Sequence, residues 1–185
     1  MNRVGVYIVV LFTFATIVCS GQSYTKEQVR SRYMQALKRR GALDTLYGQL
    51  YAIRCPTPFE ESYLGICTGM EAQYADGMWA KYKLAAKSKS HLNRAVDRDP
   101  KDTELRFLRF TFEYYLPGFL LMSSHMNTDL KMVFANIGFL GDAPEVKKVV
   151  LEFILSTHRC TPDETKLIER ILVEVKRKLA PQSKT

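Results

Sequence analysis

The chain has 185 residues, of which 46% are hydrophobic, with 27 basic side chains against 19 acidic ones. Neither a low-complexity tract, a long linker nor a second composition regime divides it, which argues against several domains and predicts one domain around one core. No motif in it specifies a reaction.

In chain order, the first feature is a leader. After Asn2 and Arg3 comes "VGVYIVVLFTFATIVCSG", and no charge appears until Lys26. A basic start, an apolar middle and small residues at the end predict a signal peptide over residues 1–21, cleaved after Gly21 or Ser20. A retained membrane anchor is the competing reading, yet Val4 to Val18 is only 15 residues, against the roughly 20 that span a bilayer. Lipid attachment at Cys19 is a third reading, disfavoured by the bulky Val18 before it. Cleavage removes only Arg3 among the charges, leaving 26 basic and 19 acidic residues, a formal +7, and no transmembrane segment in the mature chain, residues 22–185.

Helix signals dominate the mature chain. Thr25 with Gln28, Thr57 with Glu60 and Thr161 with Glu164 have capping-box spacing, and Pro58 and Pro162 stand at the first helical position, where a missing N–H costs nothing. Asp142-Ala143-Pro144 predicts a fourth start. Gly41 and Gly141 are read as helix stops. Glu60 and Glu61 fall in a first turn, where acids favour the helix dipole. Ile168, Ile171, Leu172, Val175 and Leu179 form one apolar face of a closing amphipathic helix, with Lys166, Arg170, Lys176 and Lys178 away from it. "PQSKT", residues 181–185, reads as a loose tail.

Cys55, Cys67 and Cys160 remain after cleavage, an odd number for a disulfide framework. A Cys55–Cys67 bridge would be strained, because a helix from Pro58 carries Cys67 about 13 Å away while about 10 Å of chain is free to double back. Buried free thiols are the alternative.

From Lys83 to Arg98 the chain reads as a helix bearing Lys83, Lys87, His91, Arg94 and Arg98 within an arc of about 80°. Five potential cations with no acid among them predict either a solvated face or a surface that attracts an anionic partner. Nucleic acid is a poor partner for it, since the stripe lacks interleaved aromatics and the protein is exported. The opposite face is too rich in Ala and Ser for membrane insertion.

The segment "DTELRFLRFTFEYYLPG" is ambiguous, because Leu108 to Tyr114 alternate apolar and polar residues as a half-buried strand does. On a helix, however, Asp102, Arg106, Arg109 and Glu113 share a stripe about 60° wide and the aromatics fill the rest. Tyr114, Tyr115 and Leu116 break the alternation, so the spacing predicts a central helix over 103–116, capped by Asp102 and ended by Pro117-Gly118. Arg106, Arg109 and Glu113 then form either an exposed seam, with Arg109 and Glu113 paired, or the lining of a groove that grips a carboxylate.

Trp79, Ser88, Leu92, Ala95 and Pro100 stand where tetratricopeptide repeats place an aromatic, a small residue, a large apolar residue, alanine and proline. A TPR-like helix pair over about 70–116 is the expectation, although Ala72, Ala75 and Asp76 replace the first-helix signature. The run Glu104 to Phe110, with Pro117, Phe119 and Leu120 after it, resembles strings in a family of exported helical proteins from Bacteroidetes-type bacteria. That resemblance spans about residues 70 to 140 and implies an origin and a compartment but no activity.

Chemistry is weakly signalled. His91, His125 and His158 lack metal spacing, and His158 with Cys160 is two ligands at most where zinc needs three or four. Thiol catalysis would require the fold to bring His91 or His125 to Cys160. No cofactor is predicted. The sequence therefore points to an all-α protein, a helical bundle or short TPR-like hairpin array, acting in the periplasm or cell envelope as a protein-binding or scaffolding module whose partner is a protein or an acidic envelope component. An enzyme with a dispersed active site is the alternative.

Overall fold

The computed structural model describes residues 24–137 and 144–180. In chain order these form α1 (Lys26–Ala36), α2 (Arg40–Tyr51), α3 (Pro58–Glu71), α4 (Met78–Arg98), α5 (Thr103–Tyr115), a 3-10 turn (Gly118–Leu120), α6 (Met126–Ala135), α7 (Pro144–Ser156) and α8 (Pro162–Leu179), with no strand among the described residues. The all-α expectation holds. The leader, Cys19, Gly141, Asp142, Ala143 and the tail lie outside the described residues.

The helices begin where their caps are written. Thr25, Thr57 and Thr161 each accept a hydrogen bond from the backbone N–H three residues on, while Gln28, Glu60 and Glu164 accept from the N–H of the cap residue. Each pair satisfies two donors that a helix end leaves orphaned. Asp102 caps α5 by accepting from the N–H groups of Glu104 and Leu105 at 2.8 and 3.3 Å. The alternation in α5 is resolved by its surroundings. Phe107 and Phe110 face one apolar cluster, shared with α6, α7 and α8, and Leu108 and Phe112 face another, shared with α1 to α4. A helix walled on opposite sides needs apolar residues nearly all round.

Gly41 does not stop a helix. The first helix ends at Ala36, and Gly41 is the second residue of α2. No side chain caps that start; burial of Leu43, Leu46 and Leu50 holds α2 in place instead, which illustrates how packing overrides local propensity.

The helix pair is also organised differently from a tetratricopeptide repeat. α4 runs unbroken from Met78 to Arg98, so Trp79 and Ser88 share one helix, where the repeat pattern would put a turn between them. The observed hairpin is α3 with α4, joined through residues 72–77. Close approach makes it possible: a Cβ added at Gly65 would lie 2.9 Å from Leu92 Cγ, and one at Gly69 would lie 2.9 Å from both Phe112 Cδ2 and Ser88 Oγ. Ser88 Oγ donates to the Gly65 carbonyl at 2.7 Å across the interface. Gly77, with φ of 79°, makes the left-handed turn into α4 that a side chain would oppose.

Polar ties lock the remaining helices. Arg30 of α1 grips Glu104 of α5 through Nε and Nη2 at 2.9 and 2.6 Å, and Tyr63 of α3 donates to the same carboxylate at 2.7 Å. Cys67 is a buried free thiol pushed up to about 12 by burial, so no bridge to Cys55 forms.

Candidate functional site

An apolar groove opens where α3 ends, α4 begins and α5 gives way to the 3-10 turn. It has a volume of about 750 Å³, within the usual range for ligand pockets of roughly 300–1,000 Å³. Its floor is Ile66, Gly69, Ala85 and Phe112; its rim is Met78, Trp79, Tyr82, Tyr115 and Phe119. Trp79 and Tyr82, one turn apart on α4, stack with centroids 5.6 Å apart and planes inclined by 9°. The Gly69 position keeps the floor low, because any larger residue there would meet Phe112 and Ser88.

What distinguishes this region is apolar surface left in water. Met78, Trp79, Tyr115 and Phe119 expose 66–71% of their surface and Leu121 exposes 90%. Scattered exposed apolar residues are ordinary, whereas four large ones gathered around one concavity are not. Leu121 also holds φ of 50° and ψ of 33°, a left-handed conformation that costs a branched residue of order 1–3 kcal/mol. The Leu121 N–H is bonded back to the Gly118 carbonyl at 3.2 Å, which closes the turn that carries Phe119. Sequence reasoning missed this groove, since its residues come from three helices separated by up to some fifty positions; the one signal was the apolar Phe119, Leu120 and Leu121 just beyond the predicted helix end.

The basic stripe is divided in two. Lys83 and Lys87 are exposed and lie over aromatic faces, Lys83 Nζ 5.2 Å from the Trp79 ring and Lys87 Nζ 4.9 Å from the Tyr51 ring. His91 and Arg94 instead turn to Glu61 of α3: His91 Nδ1 lies 2.7 Å from Glu61 Oε1, and Arg94 donates to that oxygen from Nε and Nη2 at 3.1 and 2.5 Å. Burial works to raise the Glu61 carboxyl, but the hydrogen bonds from His91 and Arg94 outweigh it and hold the group below the usual carboxylate range. Arg98 donates to the Pro56 carbonyl at 3.0 Å. The acid that the stripe lacks along its own helix is supplied by its neighbour, so Glu61 does more than favour a dipole.

Arg106, Arg109 and Glu113 form neither an exposed seam nor an open groove. Arg109 and Glu113 are buried. Arg109 grips Asp129 of α6 from Nε and Nη2 at 2.6 and 2.8 Å, Arg106 donates to the same carboxylate at 2.8 Å, and Arg109 Nη1 donates to Asn93 of α4 at 3.2 Å. Glu113 accepts from the backbone N–H of His125 at 2.8 Å and lies 3.0 Å from His125 Nδ1. The expected pairing of Arg109 with Glu113 is replaced by two separate ties to the start of α6. The carboxylate foreseen as ligand is the protein's own Asp129, which was invisible because it lies twenty residues away.

Cys160 is half-buried, and burial together with Glu164 pushes its thiol up, the reverse of what a nucleophile needs. His91 and His125 are engaged with Glu61 and Glu113. Among the described residues no group of three or more His, Cys, Asp or Glu could hold a metal, and no helix is long and apolar enough to cross a membrane. Comparison with known proteins returns no matching family model, no matching curated protein and no matching solved structure.

Proposed function

We propose that this chain is an exported binding module of the periplasm or cell envelope, and that it receives an apolar surface of a protein partner in the groove between α3, α4 and α5. The observation that carries this reading is the cluster of exposed Met78, Trp79, Tyr115 and Phe119 around one concavity. Aromatic and methionine side chains are the residues that dominate protein interfaces. α3 and α4, which carry most of the groove, are joined by the Ser88 bond to the Gly65 carbonyl and by Glu61 with His91 and Arg94, so their relative placement is set before a partner arrives. The enzymatic alternative draws no support from Cys160, whose thiol is disfavoured as a thiolate.

A photo-crosslinking amino acid at position 119, compared with one at the exposed Val173 of α8, tests the proposal in the native envelope. A discrete protein adduct is expected from position 119 alone, and it should disappear on Trp79→Glu. Adducts of equal yield from both positions, or adducts indifferent to Trp79→Glu, would overturn the groove as the binding surface.

A further inference from the structure

The groove's polar content narrows what can fill it. Apart from tyrosine hydroxyls and the Trp79 indole N–H, its lining offers only Gln73 and Lys81 as polar side chains, too few to pair the backbone of an extended chain along its length. An extended peptide laid there would leave its own N–H and C=O groups unpaired, and no strand edge exists among the described residues to receive it. A helix satisfies its backbone internally and presents only side chains. Met70 and Met78 beside Trp79, Tyr82 and Phe119 form the adaptable, aromatic kind of wall that accepts such side chains.

Charge narrows it further. From Met78 to Val96 the chain holds five Lys and Arg residues, Lys81, Lys83, Lys87, Lys89 and Arg94, and no Asp or Glu. Glu61 answers Arg94, whereas no carboxylate pairs with any of the four lysines among the described residues. Lys81 lines the groove and Lys83 stands over the Trp79 ring at its rim. Cations flanking an apolar trough complement acids flanking an apolar stripe.

We infer that the groove is built for an acidic amphipathic helix of the partner, with apolar side chains at i, i+3, i+4 and i+7 seated between Trp79 and Phe119 and carboxylates reaching Lys81 and Lys83. This rests on the protein-binding function and specifies its partner. Trp79 is the chain's single tryptophan, so its fluorescence reports occupancy of this site and no other.

The test titrates the mature chain with two synthetic amphipathic helical peptides that share the same Leu/Phe stripe, one with Glu on its polar face and one with Lys, and with oleate as a lipid probe. The acidic peptide should shift Trp79 emission and bind at least about tenfold tighter than the basic one at low salt, with the gap closing as salt rises. Lys81→Glu with Lys83→Glu should invert the preference, and Phe119→Asp should abolish binding of both, with circular dichroism showing each variant folded. Equal affinity for the two peptides would overturn the acidic partner while leaving the groove as a protein-binding surface. A response to oleate and to neither peptide would overturn the helix in favour of a lipid tail. Silence toward all three would overturn the inference too, and the crosslink from position 119 then decides separately whether the groove binds protein at all.

Discussion

Replacing Asp129 by alanine should be among the most damaging single changes in the protein. Asp129 is fully buried and accepts three hydrogen bonds, two from Arg109 and one from Arg106. Without it Arg109, whose side chain is 5% exposed, keeps only the 3.2 Å bond to Asn93. Breaking a buried pair by removing one partner costs about 3–5 kcal/mol, because the surviving charge is stranded away from water. With a urea dependence of about 2 kcal/mol per molar, the midpoint should fall by about 1.5–2.5 M. Urea melts monitored by circular dichroism measure this directly. Two companions separate the charge from the packing: Arg106→Ala, which removes a partner with its other bond on an exposed carbonyl, should cost less than about 1.5 kcal/mol, and Arg109→Met with Asp129→Leu should recover most of the loss. A loss below about 1 kcal/mol for Asp129→Ala would refute the reasoning, since it would mean water reaches the stranded guanidinium.

Phe110→Ala and Phe112→Ala, at two buried positions on opposite sides of α5, should each cost about 3–5 kcal/mol in the same assay. Gly69→Ala drives a methyl group against Phe112 and should cost about 1–3 kcal/mol while raising the groove floor, read as weaker Trp79 response to any ligand. Glu71 Oε1 is shielded from solvent without a hydrogen-bond partner, and burial, aided by the Asp44 carboxylate and opposed by Arg40, raises its carboxyl above the usual range. A raised carboxyl favours the folded state when protonated, so its contribution is present below the ordinary value of about 4.3 and is lost as pH rises through the folded value. Glu71→Gln should therefore gain stability relative to wild type as pH is raised across that window; a difference that is flat with pH would refute it.

The readable part of this fold was the part encoded within a few residues. Capping boxes at Thr25, Thr57 and Thr161 act over three positions, so sequence spacing and structure agree. The face of α5 given to Arg106, Arg109 and Glu113 was also legible as one stripe. Its fate was not, because burial of a charged stripe depends on Asp129 and His125 arriving from α6. For the same reason half of the basic stripe on α4 was misjudged: exposure at Lys83 and Lys87 comes from their own helix, while the capture of His91 and Arg94 depends on Glu61 thirty residues earlier. A charge reversal at Arg94 would thus strike the α3–α4 interface, where an exposed lysine such as Lys83 could be reversed with little effect on folding. Gly41 misled because glycine favours a helix end where the chain turns left-handed, and no described residue between α1 and α2 takes a positive φ.

The double-sided burial of α5 makes the molecule mechanically indivisible. Phe107 and Phe110 close one cluster, Leu108 and Phe112 the other, so neither half keeps its wall if the other is cut away. A truncation after α5 would bare an aromatic face to solvent, and one before it would strip the α6 to α8 cluster of its Phe107 and Phe110 wall. Melting by calorimetry should accordingly give a single cooperative transition for the two clusters. Because Phe112 also floors the groove, any partner seated there pushes on the beam that both halves share, and its grip is resisted by the whole protein rather than by the three helix ends it touches.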